Sequence, residues 1–177
     1  MRVIAGKYRR RQLRSLPGME TRPMLDRMRE TLFNILQLEV PGKVFADLFS
    51  GTGAVGIEAL SRGALQAYMV EANPQAVKVI EANLATLGAM ADAIVISSRV
   101  EAALPRIEAD IWFLGPPYAD HDAYHKTLHA LAEKGAKLAI AQHDAKFELR
   151  ENYEQLVRTR IVKAGSNALT FYRPVDA

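Results

Sequence analysis

Asp47-Leu48-Phe49-Ser50-Gly51-Thr52-Gly53, DLFSGTG in one-letter code, is the stretch that decides the fold. Apolar Val44, Phe45 and Ala46 precede it, and a helix-like run begins at Ala54. That order predicts a strand, a glycine turn and a helix. Two glycines in the turn remove the Cβ atoms that would keep a ligand from the backbone.

Outward from this turn the periodicity alternates. Strands are expected at 43–48, 67–71, 93–97, 110–114 and 136–141, with helices at 54–62, 74–88 and 122–134. Asn73-Pro74 supplies an N-cap and a first-turn proline, and Gly63 and Gly88 stop helices. Residues 155–163 and 168–173, separated by Gly165-Ser166-Asn167, suit a closing antiparallel hairpin. The expectation is therefore an α/β fold with a doubly wound, mostly parallel sheet of seven strands. Upstream, a helix is expected from Asp26 to Leu38, after an extended Thr21-Arg22-Pro23. Residues 2–5 and 12–16 read as short strands of a basic hairpin. Residues 1–22 are thus expected as an N-terminal extension of a domain spanning 23–177.

The totals narrow the function classes. The chain has 177 residues, 49% of them hydrophobic, enough for one well-formed core. It has no cysteine, which excludes disulfides and thiolate metal sites. Its start does not read as a secretory signal, and no window has the roughly 18 apolar residues needed to span a membrane. A cytoplasmic protein without a membrane partner is expected. The net charge of +3 is uneven: residues 1–30 carry nine basic and three acidic side chains, a net of +6. Such an arm on a mildly acidic body suits a polyanion, with Lys7, Arg9, Arg10, Arg11 and Arg22 as candidate RNA contacts. A solvated, solubilising surface is the simpler alternative. His121, His125 and His129 have helical spacing, but exposed helix histidines are the preferred reading and no metal site is expected. Trp112 is expected in the core, and Gly56 and Gly63 as packing and helix-stop glycines.

Ligands of open parallel sheets collect at the carboxyl ends of the strands, where Asp47, Glu71, Ser98 and Gly115 are expected. Gly51, Gly53 and Gly56 also satisfy the dinucleotide spacing, with Glu71 18 residues after Gly53. Asp47 separates the possibilities: a carboxylate repels a pyrophosphate and attracts an ammonium. S-adenosylmethionine carries an ammonium and a ribose but no phosphate. The second motif is Gly115-Pro116-Pro117-Tyr118. Its prolines fix φ and donate nothing, so nearby carbonyls stay free to hold an exocyclic amine, and Tyr118 could stack on a base.

Across nearly its whole length the sequence resembles the RsmD-like 16S ribosomal RNA guanine-N2 methyltransferases. The resemblance runs through Arg2–Leu13, Thr21-Arg22-Pro23, Arg29–Leu36, Asp47–Ala64, Glu71-Ala72-Asn73, Asn83-Leu84 and Leu169–Tyr172. It implies a class I methyltransferase fold, S-adenosylmethionine as donor, and 16S rRNA or the small ribosomal subunit as partner. A monomer is expected. It implies that Asp47, Phe49, Ser50, Gly51, Thr52 and Gly53 hold the methionine part of the donor. Glu71 and Ala72 would take the ribose, and Ser98, Arg99 and Val100 would line the adenine. Gly115, Pro116, Pro117 and Tyr118 would form the catalytic loop. Two positions depart from the family pattern. Gly115 stands where Asp or Asn is usual, and an acidic residue after the third strand is missing, leaving adenine to backbone groups. Asp120, His121 or Asp122 are candidates to replace the lost acceptor. A non-catalytic RNA-binding or assembly factor and a dinucleotide oxidoreductase are the competing readings.

Overall fold

β1 (Val44–Asp47) is the strand around which the sheet is laid. In this computed structural model, which describes residues 1–18 and 23–176 (the backbone alone at 23–25), it lies between two parallel neighbours. These are β2 (Gln66–Glu71) on one side and β4 (Ile111–Leu114) on the other. β3 (Ala93–Ser97) extends the β2 side. β5 (Ala139–Asp144) extends the other, followed by antiparallel β8 (Asn167–Pro174) and β7 (Leu156–Ala164). The order is β3-β2-β1-β4-β5-β8-β7-β6. All seven expected strands are present, and the eighth, β6, is only the two-residue edge Asn152–Tyr153. Because the chain leaves β1 in one direction and returns at β4 on its other side, the topological switch point falls between these two strands.

Period-two alternation sorts the strand residues onto two faces. Phe45, Met69, Phe113 and Ile140 pack under α2 (Ala54–Ser61), α3 (Pro74–Leu87) and α1 (Pro23–Ile35). Ala46, Leu48, Trp112, Leu114 and Ala141 pack on the opposite side, under α4 (Val100–Ala103) and α5 (His121–Lys134). Trp112 is in this core, as expected. α3 is capped by Asn73, whose side chain accepts from the Gln75 amide, and ends on left-handed Gly88. α5 is capped by Asp120 and ends on left-handed Gly135.

Two expectations need correction. α1 starts at Pro23 and ends at Ile35, earlier than the apolar spacing suggested. The chain turns tightly so that the amides of Glu39 and Val40 both donate to the Leu36 carbonyl. Leu36 and Val40 are thereby buried while Leu38 stands 92% exposed. The N-terminal strands are reduced to one antiparallel bridge, Arg2 with Gln12. Backbone groups that a ladder would use are committed to the body instead: the amides of Ile4 and Ala5 donate to the Glu58 carboxylate, and Lys7 donates to the Ser61 carbonyl.

Candidate functional site

The glycine turn is braced by carboxylates from two strand ends. Asp47 is 1% exposed, and its Oδ2 accepts from Ser50 Oγ at 2.9 Å and from the Gly56 amide at 3.1 Å. Glu71 reaches across from β2: its Oε1 accepts the Gly51 amide at 2.7 Å and its Oε2 the Asn73 amide at 2.9 Å. Gly51 and Gly53 have φ of 59° and 87°, the left-handed region that glycine adopts without a Cβ clash. Gly56 serves packing, since a Cβ there would stand 2.8 Å from the terminal methyl of Met69.

Asp47 is therefore not an open carboxylate at the mouth of the turn, as its place in the sequence suggested. It lies beneath the turn, on the α2 side, because alternation along β1 puts it on the same face as Phe45. Burial pushes its carboxyl up to about 7, against the smaller opposing effect of the Ser50 and Gly56 hydrogen bonds. Its Oδ1 is buried without a hydrogen-bond partner. An orphaned buried acceptor is costly, and a ligand bearing N–H donors would satisfy it. That atom, with the lone pairs left on Glu71, gives the site the chemistry of an ammonium- and hydroxyl-bearing ligand.

The other expected donor contacts divide. Ser98 is drawn to Glu71, its amide donating to the Glu71 carbonyl at 3.1 Å. Phe49 is half-buried against the core under α4 and α5, Ala72 is exposed, and Thr52 is buried with its carbonyl accepting from Asn83 Nδ2 at 3.1 Å. Arg99 faces solvent, paired with Glu101 at 3.4 Å, and Val100 begins α4 inside the core.

Across the switch point, Gly115–Tyr118 follows β4 directly. The Leu48 amide donates to the Phe113 carbonyl, so the chain leaving β1 runs beside this loop. Tyr118 Oη donates to Asn167 Oδ1 at 2.5 Å and accepts from Gln142 Nε2 at 3.3 Å, which ties the loop to β8 and β5. Tyr124 Oη reaches the carbonyls of Pro116, at 3.4 Å, and Gln142, at 2.6 Å. A Cβ on Gly115 would make only ordinary contacts, 3.4 Å to Phe113 and 3.9 Å to Gln142. Two of the three candidates to replace its missing acceptor are engaged elsewhere. Asp120 is occupied as the α5 cap, and His121 stacks on Phe147 with ring centroids 3.9 Å apart.

The basic arm is locked to the body by residues that its charge pattern does not reveal. Glu58, fully buried on α2, accepts both arm amides and pairs with Arg62 at 2.9 Å and Arg29 at 3.6 Å. Gly6, at φ 89°, lies so close to Ser61 that a Cβ would be 1.9 Å from its carbonyl oxygen. Asn83 accepts from the Arg14 amide at 2.7 Å while donating to Thr52, so it joins the arm to the glycine turn. The remote signal for this knot was the conjunction of a polar Glu58 among apolar α2 residues and a glycine in the arm. Lys7 pairs with Asp92 at 3.9 Å, and Arg11 donates to the Thr86 carbonyl. Arg9 and Arg10 join Arg2, Arg27, Asp26 and Glu30 around a cavity of about 440 Å³ between arm and α1. Arg22 lies outside the described residues.

Of the helix histidines His121 is exposed, as expected, while His125 and His129 are partly buried. His125 Nδ1 meets Tyr153 Oη at 2.7 Å, and His129 Nδ1 meets Glu154 at 2.8 Å. Among the described residues no group of three His, Asp or Glu side chains could hold a metal, and no helix is long and apolar enough to cross a membrane.

A mostly parallel sheet in this order, with a carboxylate-braced glycine turn at its switch point, defines a Rossmann-like class I methyltransferase fold. The chain belongs to the RsmD family, described as "Conserved hypothetical protein 95", which matches residues 1–173. It is 34% identical over 183 residues, 98% of each chain, to YlbH of Bacillus subtilis, itself named only provisionally as an rRNA methyltransferase. It is 35% identical to the Ribosomal RNA small subunit methyltransferase D of Escherichia coli K12 over 76% of this chain and 68% of that protein. The solved structure of yhhF from Escherichia coli superposes with a TM-score of 0.86 at 30% identity, covering 98% of this chain and 97% of that one.

Proposed function

We propose that the protein transfers a methyl group from S-adenosylmethionine to the exocyclic N2 amine of a guanine in 16S rRNA of the small ribosomal subunit. The observation that carries this reading is the turn held by Asp47 and Glu71 facing the Gly115–Tyr118 loop across the β1–β4 switch point. The relatives named as small-subunit rRNA methyltransferases support the substrate class. Asp47 Oδ1 would receive the donor's ammonium, Glu71 its ribose hydroxyls, and the backbone at Ser98 its adenine. The bound donor supplies an electrophilic methyl: the amine lone pair forms the new carbon–nitrogen bond, the carbon–sulfur pair leaves on sulfur, and an amine proton passes to water. The chain's own contribution is alignment of two bound reactants, with backbone acceptors after β4 orienting the amine. Arg9, Arg10 and their neighbours would hold RNA phosphates, in a cytoplasmic setting.

A dinucleotide oxidoreductase is disfavoured because the Gly51 and Gly56 amides that a pyrophosphate would want already serve carboxylates. A weakened RNA-binding or assembly factor is favoured by one observation, the absence of a side chain at Gly115. Titration calorimetry with S-adenosylmethionine, followed by tritium transfer from the donor to small-subunit rRNA, tests the proposal. Binding with robust incorporation supports it; failure to bind the donor rejects it, and binding without incorporation favours the assembly factor.

A further inference from the structure

Gln142 stands beside the position of the side chain missing from residue 115, behind only the Phe113 ring in nearness. β4 and β5 are parallel and Leu114 is paired with Ala141, so residues 115 and 142 follow side by side at the ends of adjacent strands. A Cβ built on Gly115 stands 3.9 Å from the Gln142 Cβ. The Gln142 backbone is anchored, its carbonyl accepting from Tyr124 Oη at 2.6 Å. Its carboxamide is oriented too. Tyr118 has one hydroxyl proton and gives it to Asn167 Oδ1, so its oxygen accepts from Gln142 Nε2. Among the described residues no hydrogen bond engages the other end of that carboxamide, Oε1.

We propose that the Gln142 carboxamide oxygen accepts an N–H from the exocyclic amine of the target base, in the place of an acceptor side chain at residue 115. The inference rests on the methyl-transfer reading. An aromatic amine is conjugated with its ring, and fixing its N–H groups sets the direction in which its lone pair meets the methyl carbon. The prolines after Gly115 donate nothing, so a neutral acceptor beside them meets no competing N–H from Pro116 or Pro117. Gln142 Nε2, held by Tyr118, keeps the oxygen at a fixed position while the same tyrosine stays with the loop.

The test measures single-turnover methyl transfer to small-subunit rRNA, with donor affinity by calorimetry, for four proteins: the parent, Gln142→Met, Gln142→Glu, and Gln142→Met with Gly115→Asn. Methionine fills the same space without an oxygen. Loss of one preorganised group predicts a rate about 10²–10³-fold lower for Gln142→Met, with donor affinity and melting temperature close to the parent's. Glu keeps an acceptor but loses the donor to Tyr118, so Gln142→Glu is expected to stay within about tenfold of the parent. The Asn added at 115 is expected to recover at least about tenfold in the double variant. Gln142→Met within threefold of the parent (roughly, on the same scale), or equal losses in the Met and Glu variants, would overturn the proposal, the latter by assigning Gln142 to holding Tyr118. A parent that binds no donor would instead reject the methyl-transfer reading and this inference with it.

Discussion

Glu71 Oε1 accepts the Gly51 amide at 2.7 Å, so the end of β2 holds the turn that follows β1. One carboxylate thus shapes the turn and retains lone pairs toward the ligand it would bind. Replacing it separates these duties. Glu71→Gln can still accept the Gly51 amide through its carbonyl, whereas Glu71→Ala cannot. Charge-assisted bonds contribute about 1.5–3 kcal/mol, so Glu71→Ala is expected to weaken donor binding by roughly 10–100-fold, and Glu71→Gln by less. Calorimetry on both variants checks the order.

Asp47 makes stability depend on pH in an unusual direction. Its carboxyl is pushed up from 3.8 to about 7 in the fold, so the folded state holds the proton across that window while the unfolded chain releases it. Stability from this group is therefore full below about pH 4, falls as pH rises toward 7, and levels off above. Asp47→Asn removes that slope, and urea melts from pH 4 to 8 should show the variant gaining on the parent as pH rises. An ammonium bound at Oδ1 favours the ionised form, so donor affinity should climb between pH 6 and 7.5 with proton release. Calorimetry in buffers of different ionisation enthalpy measures that release.

Glu58 tests how the arm is held. Glu58→Ala would leave buried Arg29 with Asp26, at 3.2 Å, as its remaining carboxylate and would free the amides of Ile4 and Ala5. Breaking such a buried pair costs about 3–5 kcal/mol, which for a chain of this size lowers the melting temperature by roughly 10 °C. Differential scanning calorimetry reads the shift, and protease cleavage near residue 6 should accelerate.

Arg9, Arg10 and Arg27 surround one cavity beside α1. Changing all three to Gln is expected to weaken RNA binding for every sequence alike. On single strands, the slope of log affinity against log salt should flatten by about 0.7 for each phosphate no longer neutralised. Filter binding at several salt concentrations measures it; an unchanged slope would assign the arm to solubility.

The parallel sheet was legible because its strands are short apolar runs between helices with glycine and asparagine boundaries, and the switch point followed from their order. The site was legible only in part. DLFSGTG announced a ligand turn, but one-dimensional spacing could not tell that Asp47 points under the turn. That depends on which face of β1 carries α2. The arm read as a hairpin because Arg2–Ala5 has strand-like residues, while the partner that claims its amides, Glu58, is more than 50 positions away. Gln142 had no signal of its own, since its meeting with Gly115 comes from the pairing of β4 with β5. The His121/125/129 spacing was real but serves packing and hydrogen bonding with Tyr153, Phe147 and Glu154.

Methyl transfer to one guanine is tested most directly on the RNA itself. Small-subunit rRNA, both naked and assembled into particles without prior modification, is incubated with the protein and S-adenosylmethionine, digested, and analysed by mass spectrometry. The predicted result is a mass increase of one methyl group on a single guanosine, with the fragment pattern of an N2-methylated base. An unmodified guanosine complement in both substrates, alongside measurable donor binding, would contradict it.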